Sequence, residues 1–304
     1  MMHYEESLDK AVLVSEALDE LVDILDLESI EENIFRGRSP LENRQRVFGG
    51  QVAGQALVAA GRTVERGQVH SLHAYFLRPG DPAIPILYEV DRIRDGASFT
   101  TRRVVAIQHG KAIFNLSASF HKDEPGVSHQ VKMPNVPPPE SLPTFLERMA
   151  PLARHASDER QQWYQRPRPI DQRYIEPLGA HRGQADQIPP QRIWMKADGA
   201  LPEDPLLHAC VVAYASDMSL LSSAMIPHGI TWDDPNVMSA SLDHAMWFHR
   251  ALKADEWFLY DQESPWAGSA RAIARGHIFS SSGDLCVSVV QEGLVRVVES
   301  RQTT

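Results

Sequence analysis

The chain has 304 residues, of which 43% are hydrophobic and 23% are charged. This composition is sufficient for a folded core and argues against a chain that is disordered throughout. The length favours two domains of about 150 residues each. The formal net charge of −10 argues against a general nucleic-acid-binding protein, which needs a basic face. It remains compatible with a small anionic ligand held by a few local cations.

Cysteine content and hydropathy bear on the cellular compartment. Cys210 and Cys286 are too few for a disulfide framework and lack the spacing of a zinc site, so we expect two reduced core residues. The sequence shows no signal peptide, no peroxisomal carboxyl-terminal signal and no run of 18 apolar residues. We therefore expect a cytoplasmic protein with no nucleic-acid partner and no stable membrane insertion.

The first half of the chain predicts helices followed by a sheet. Residues 8–35 place apolar side chains at helical spacing and predict a packing helix. The uncharged segment 47–61 predicts a buried helix whose small residues allow close packing, and we interpret Gly49-Gly50 in the same way rather than as a dinucleotide motif. Tight turns separate four expected antiparallel strands, at residues 71–79, 86–95, 98–108 and 111–121.

The second half repeats this pattern after a different kind of segment. Residues 125–190 are rich in proline and polar residues, which predicts a linker with one short helix near residues 142–155. The apolar stretch 205–232 then predicts a second buried helix. Strands are expected on both sides of it, at residues 191–198, 238–250, 256–264, 269–280 and 285–298.

An internal repeat relates the two halves at an offset of roughly 172 positions. Residues 72–78 resemble residues 242–250, and the strands that begin near Ser98 and Ser269 both carry arginines. We predict an α+β fold of two fused units, each with a long antiparallel sheet wrapped around a central helix. Pairing of their edges into one sheet would protect both edges. The expected division is an amino-terminal unit (1–124), the linker (125–190) and a carboxyl-terminal unit (191–304).

Asp217 is the first candidate for chemistry. It is the only carboxylate within residues 205–232, and a carboxylate in so apolar a segment is costly to bury unless it is hydrogen-bonded. One interpretation is that Asp217 caps the helix or faces solvent. The other is that it orients or deprotonates a water molecule.

Two further polar residues distinguish the second half from the first. Gln291 lies in an apolar strand, and its counterpart in the repeat is near Ala118. Ser241 lies in the expected strand 238–250, and its counterpart is near His70. The first buried helix carries no acid, so the asymmetry indicates chemistry in the second half and structure in the first.

Several long motifs of the chain resemble one known family. The segments RVFGGQVAGQAL, HSLHAYFLRPGD, RDGASFTTRRVVAIQ, YASDMSLL, SLDHAMWFHR and VQEGLVR, spread over residues 20–298, resemble the acyl-CoA thioesterase II (TesB-like) family. The resemblance implies a double hotdog fold and hydrolysis of acyl-CoA to free fatty acid and coenzyme A. It also implies no metal, no other cofactor, and a homodimer or homotetramer.

The resemblance also implies a catalytic set. The family holds its attacking water with an Asp, a Thr or Ser, and a Gln, which fall on Asp217, Ser241 and Gln291 of this chain. Position 241 departs from the expected Thr. Serine keeps the hydroxyl group but loses the methyl group that restricts its rotamer. The chain has no GxSxG motif, so a serine nucleophile of the α/β-hydrolase kind is not expected.

Six other residues are weaker candidates for substrate contacts. His244 immediately follows Asp243 beside the site strand, and Met246 lies in an apolar run that could line an acyl pocket. Some of the arginines on corresponding strands could meet coenzyme A phosphates, because a guanidinium matches phosphate geometry: Arg102, Arg103, Arg271 and Arg275. The alternative is a core role for His244 and Met246 and a solvated strand face for each arginine. The histidines show no metal-binding pattern, so no metal site is expected.

Two other functions stay open at this point. A hotdog-fold enoyl-CoA hydratase would need a paired Asp and His, and no histidine follows or precedes Asp217 at short range. A non-catalytic acyl-CoA-binding module would bind the same ligand without turnover.

Overall fold

The structure is a computed structural model that describes residues 16–40, 45–154, 156–180, 183, 190–232 and 234–298. Of the first expected helix, residues 8–15 lie outside the described residues, and residues 16–25 form helix α1. The expectation is wrong for the end of this segment. Strands β1 (Glu28–Glu31) and β2 (Ile34–Gly37) form a hairpin there, with Asn33 at a φ of 62° in the turn.

The rest of the first half follows the predicted order. Helix α2 (Gly49–Gly61) is buried along almost its whole length. The four expected strands follow it with shifts of a few residues at most: β3 (Gln68–Phe76), β4 (Ile86–Asp95), β5 (Phe99–Gln108) and β6 (Lys111–His121). The alternation of apolar and polar residues therefore located these strands well.

The proline-rich segment contains more regular structure than one short helix. Helix α3 (Phe145–Ala153) matches the prediction and begins with a capping box between Thr144 and Glu147. Helix α4 (Asp158–Gln165) and strand β7 (Ile170–Tyr174) were not expected. The division into two units and a linker stays a prediction, and this segment contributes a strand to the sheet.

The second half contains the expected helix and strands. The helix is α5 (Pro205–Ser216), followed by the short α6 (Ser222–Met225). The segment expected as one strand over 238–250 is divided at Leu242. The strands are β8 (Gln191–Ala197), β9 (Val237–Ser241), β10 (Asp243–Phe248), β11 (Phe258–Gly268), β12 (Arg271–Ser280) and β13 (Leu285–Val297).

All the described strands belong to one antiparallel sheet. Its order is β1-β2-β4-β5-β6-β3-β10-β13-β12-β11-β8-β7, and β9 pairs with β13. The halves meet where β3 pairs with β10, with Leu72 opposite Met246 and Ala74 opposite His244. The predicted pairing of the two units edge to edge is therefore confirmed.

The two central helices pack directly against each other. A β-carbon at Gly50 of α2 would lie only 2.5 Å from the carbonyl oxygen of Tyr214 in α5. Because this neighbour is backbone, a larger side chain could not be accommodated by a rotamer change. The contact brings the amino end of α2 next to the carboxyl end of α5. Within the described residues, no helix is long and apolar enough to cross a membrane.

Candidate active site

Asp217, Ser241 and Gln291 meet at the carboxyl end of α5. Asp217 is the residue that ends this helix, with a φ of −84° and a ψ of −8°. Oγ of Ser241 donates a hydrogen bond to Oδ1 of Asp217 at 3.2 Å, and Nε2 of Gln291 donates to the same oxygen at 2.6 Å. The structure thus brings together the three residues that the sequence selected.

A fourth contact comes from the other half of the chain. The backbone N–H of Gly50, in the first turn of α2, hydrogen-bonds the Asp217 carboxylate. The start of a helix attracts anions because its first N–H groups have no acceptor in the helix and carry partial positive charge. Sequence reasoning assigned Gly49-Gly50 to packing alone. The sequence signal that could have indicated this backbone contact is the pair of glycines at the start of an uncharged helix.

Burial changes the acidity of Asp217. Loss of surrounding water raises the pKa of this carboxyl group from 3.8 to about 6, while the hydrogen bonds from Gln291, Ser241 and Gly50 oppose the rise. A carboxylate with a pKa near 6 is mostly ionised at neutral pH. It is also a stronger base than an exposed aspartate, which suits proton transfer from water.

Asp217 and Ser241 open into a cavity of about 1400 Å³. Its wall near Asp217 is formed by Phe48, Gly49, Phe76, Tyr214 and Met218. The proline-rich segment also contributes to the lining, with Phe145, Met149, Leu152, Trp163 and Tyr164. Arginines also border the cavity: Arg46, Arg78, Arg148, Arg160, Arg166 and Arg168. The segment expected to be a linker therefore lines the same cavity as the candidate site.

Three of the candidate substrate contacts, His244, Met246 and Arg271, lie elsewhere. His244 and Met246 are fully buried on the interior face of β10, and both contact Ser216, which directly precedes Asp217. Arg271 is half-exposed and pairs with Glu292 at 3.1 Å. The described residues that line the cavity include none of these three. Their role as substrate contacts stays a prediction that this geometry does not favour.

Arg102 has neither of its expected environments. Its side chain is 1% exposed, and its guanidinium bonds Oγ1 of Thr63 at 2.7 Å, the Thr63 carbonyl oxygen at 2.9 Å and Oδ1 of Asp95 at 2.5 Å. Thr63 lies two residues beyond the end of α2, so the guanidinium satisfies acceptors just past the carboxyl end of that helix. Arg102 is thus a structural residue and not a phosphate contact.

The position of Arg102 explains the asymmetry between the halves. Arg102 stands opposite Ala118 on β5 and β6, whereas Ala274 stands opposite Gln291 on the matching strands β12 and β13. In the second half, the small residue leaves space for the amide that reaches Asp217. In the first half, the guanidinium fills the corresponding space.

The sheet and its two central helices define a double hotdog protein. A solved structure from Alicyclobacillus acidocaldarius described as having a hot dog fold matches with a TM-score of 0.72, covering 91% of this chain and 98% of that one, at 21% identity. The predicted α+β double hotdog class is confirmed.

Comparisons of sequence then identify the family. Residues 38–121 match the acyl-CoA thioesterase N-terminal domain, and residues 157–294 match the acyl-CoA thioesterase model. The chain is 43% identical to human acyl-coenzyme A thioesterase 8 (90% of this chain, 88% of that protein) and 37% identical to acyl-CoA thioesterase 2 of Haemophilus influenzae (94% and 100%). The crystal structure of acyl-CoA thioesterase II TesB2 from Mycobacterium marinum matches with a TM-score of 0.75 and 45% identity, covering 92% and 99% of the two chains. The chain therefore belongs to the acyl-CoA thioesterase family of thioester hydrolases.

Proposed function

We propose that this protein hydrolyses acyl-CoA thioesters to free fatty acid and coenzyme A, with Asp217, Ser241 and Gln291 holding the attacking water. One observation carries the proposal. A hydroxyl and an amide both donate to the same oxygen of a carboxylate that faces a large cavity. Such an arrangement fixes the direction of the remaining lone pairs, which is what orientation of a nucleophilic water requires.

The reaction needs one base and one acid, and Asp217 can serve as both. As a carboxylate it accepts a proton from water while the water oxygen attacks the thioester carbonyl carbon. The tetrahedral intermediate then collapses, the carbon–sulfur bond breaks, and the protonated Asp217 returns its proton to the departing thiolate. The products are a carboxylic acid and coenzyme A thiol.

The amino end of α2 supplies a place for the thioester oxygen. Gly49 lines the cavity beside Asp217, and the first N–H groups of a helix have no acceptor within the helix. Because the N–H of Gly50 bonds Asp217, we propose that the N–H groups beside it in this first turn stabilise the negative charge that develops on the thioester oxygen. The first half of the chain would thereby contribute to the chemistry through its backbone.

The cavity has features that suit an acyl-CoA molecule. Its volume of about 1400 Å³ exceeds the roughly 300–1,000 Å³ of ordinary small-molecule sites. Apolar and aromatic side chains from α3 and α4 suit an acyl chain, and the bordering arginines suit phosphate groups. The alternative hydratase reaction needs an imidazole beside the carboxylate. Here the side chains that bond Asp217 are a hydroxyl and an amide.

The same proposal includes the setting of the enzyme. Cys210 and Cys286 are both free and buried, which fits action in the reducing cytoplasm. We further propose a homodimer or homotetramer, by analogy with the family. Sedimentation of the purified protein checks the oligomeric state.

Release of free thiol from a series of acyl-CoAs, from short to long chains, tests the activity. We expect turnover by the wild type and a loss of at least about 100-fold in Asp217→Asn, because the base is removed. Asp91→Asn is the matched control, since it removes a surface carboxylate that pairs with Arg103. Binding of acyl-CoA without thiol release by the wild type would instead support the binding module.

A further inference from the structure

His244 and Gln291 face each other on the interior side of the sheet. Ala245 of β10 pairs with Val290 of β13. Because the strands are antiparallel, His244 therefore lies beside Gln291. Both His244 and Gln291 are 0% exposed. Side chains at such facing positions on neighbouring strands lie within reach of each other.

Each of the two side chains has one polar atom with a hydrogen-bond partner and one polar atom without a partner. Nε2 of His244 lies 2.8 Å from Oγ of Ser216, and Nε2 of Gln291 lies 2.6 Å from Oδ1 of Asp217. Within the described part of the chain, Nδ1 of His244 and Oε1 of Gln291 have no hydrogen-bond partner. Buried polar atoms without partners are uncommon in folded proteins, so two of them on facing residues need an explanation.

The first half of the chain shows that the fold itself does not need this polar pair. Leu72 and Ala118 face each other across β3 and β6, at the positions that correspond to His244 and Gln291. Both are buried and apolar. The polar pair occurs only in the half that carries Asp217, which connects it with the chemistry rather than with the sheet.

We propose that His244 is a positioning residue: a small rotation of the two facing side chains lets its Nδ1–H donate a hydrogen bond to Oε1 of Gln291, which holds the amide NH₂ group toward Asp217. The proposal rests on the proposed role of Gln291. One proton on Nδ1 satisfies both unpartnered atoms, and the Ser216 hydroxyl can rotate to donate to Nε2. The contacts then form a closed ring, because Ser216 and Asp217 are consecutive in the chain.

The need for such a residue follows from the shape of an amide. The oxygen and nitrogen ends of a glutamine side chain have nearly the same size, so packing alone does not choose between them. A reversed Gln291 would place its carbonyl oxygen against the Asp217 carboxylate. Burial lowers the pKa of His244 to about 4, so the ring is neutral and carries a single proton at working pH.

A double-mutant cycle tests the inference in the full-length enzyme. We expect His244→Leu to lower kcat by up to about 100-fold with little change in KM, because the displaced Gln291 no longer orients Asp217 and its water. Leucine is the residue at the corresponding position of the first half. We expect His244→Asn, which keeps a donor near the Nδ1 position, to recover most of kcat. In a Gln291→Ala background, His244→Leu should cause no further loss.

The opposite results would overturn the inference. If His244→Leu lowers kcat by the same factor with and without Gln291, the imidazole acts through packing and not through the amide. Val287→Ala is the control for lost interior volume on the neighbouring strand β13, and we expect its kcat to stay within about twofold of the wild type. If Gln291→Ala leaves kcat unchanged, the proposed function of Gln291 fails. The hydrogen bond between His244 and Gln291 is then tested by nuclear magnetic resonance, which does not depend on activity.

Nuclear magnetic resonance of protein labelled with ¹⁵N-histidine reads the imidazole proton directly. We expect the His244 resonances, assigned by their loss in His244→Asn, to show a protonated Nδ1 and an unprotonated Nε2. The Nδ1 resonance should shift in Gln291→Ala. An unprotonated Nδ1, or one that is unaffected by Gln291→Ala, would overturn the contact whatever the activity of the variants.

Discussion

Gly49 lies so close to Asp217 that a β-carbon on it would be 2.7 Å from Oδ2 of the carboxylate. The two residues come from different halves of the chain, at the amino end of α2 and the carboxyl end of α5. Neither half can therefore assemble the candidate site alone. The side chains come from one half and the backbone donors from the other.

Substitution of Gly49 should damage catalysis more than folding. The methyl group of Gly49→Ala would press on Oδ2 of Asp217 and on the ring of Phe76, which displaces the base from its water. We expect kcat to fall by about 10- to 100-fold, measured as thiol release at saturating substrate. Gly126→Ala is the control, since no atom lies within 4 Å of its β-carbon position. Equal activities of the two variants would contradict the crowding argument.

The activity should depend on pH through Asp217. Because the pKa of this carboxyl group is about 6, we expect kcat/KM to rise with pH through that value and to level off above it. Ser241→Ala removes a donor that stabilises the carboxylate, so the rising limb should move to higher pH. Ser241→Thr should leave the limb in place. A limb at the same pH in wild type and Ser241→Ala would show that another group controls the profile.

The same carboxyl group should also affect stability. Its pKa in the folded state, about 6, lies above its ordinary value of 3.8, so the folded state binds the proton more tightly. The contribution of Asp217 to stability is therefore full below about pH 3.8 and is lost as pH rises toward 6.

The free energy of unfolding of Asp217→Asn, relative to the wild type, should increase between pH 4 and pH 7. We expect an increase of at most about 3 kcal/mol, and less to the extent that the cavity admits water. Urea unfolding at several pH values measures it, with Asp91→Asn as the control. A constant difference across this range would mean that folding does not perturb Asp217.

Arg102 should matter for stability and not for turnover. Arg102→Leu removes the hydrogen bonds to Thr63 and leaves those acceptors buried, which should lower the free energy of unfolding by about 2–4 kcal/mol. Arg103→Leu, on the exposed face of the same strand, should change it by less than about 1 kcal/mol. KM for acyl-CoA should stay unchanged in both. A raised KM in Arg102→Leu alone would restore the phosphate-binding interpretation.

The sequence predicted the long strands and both central helices because their periodicity is strong and local. It missed the hairpin at residues 28–37, whose strands of four residues are too short to show a period, and whose turn depends on the positive φ of Asn33. It also missed β7, because this strand exists through its pairing with β8 and not through its own composition.

The candidate site shows the same division between local and non-local information. Asp217 and Gln291 stood out as polar residues in apolar segments of the second half, and the resemblance to the thioesterase family selected these two together with Ser241. The hydrogen bond from the backbone of Gly50 to Asp217 could not be predicted, since it depends on how closely α2 approaches α5. The orientation of Arg102 could not be predicted either. It depends on the strand register, which places the side chain of Arg102 in the interior and that of Arg103 on the exposed face.

The buried guanidinium of Arg102 predicts the stoichiometry of substrate binding. Arg102 stands opposite Ala118 in the first half, where the second half has Ala274 opposite Gln291, so the first half lacks the amide of the candidate site. Each polypeptide should therefore bind a single acyl-CoA, and saturation within one chain should be hyperbolic. Any cooperativity observed in the assembled enzyme would have to arise between polypeptides.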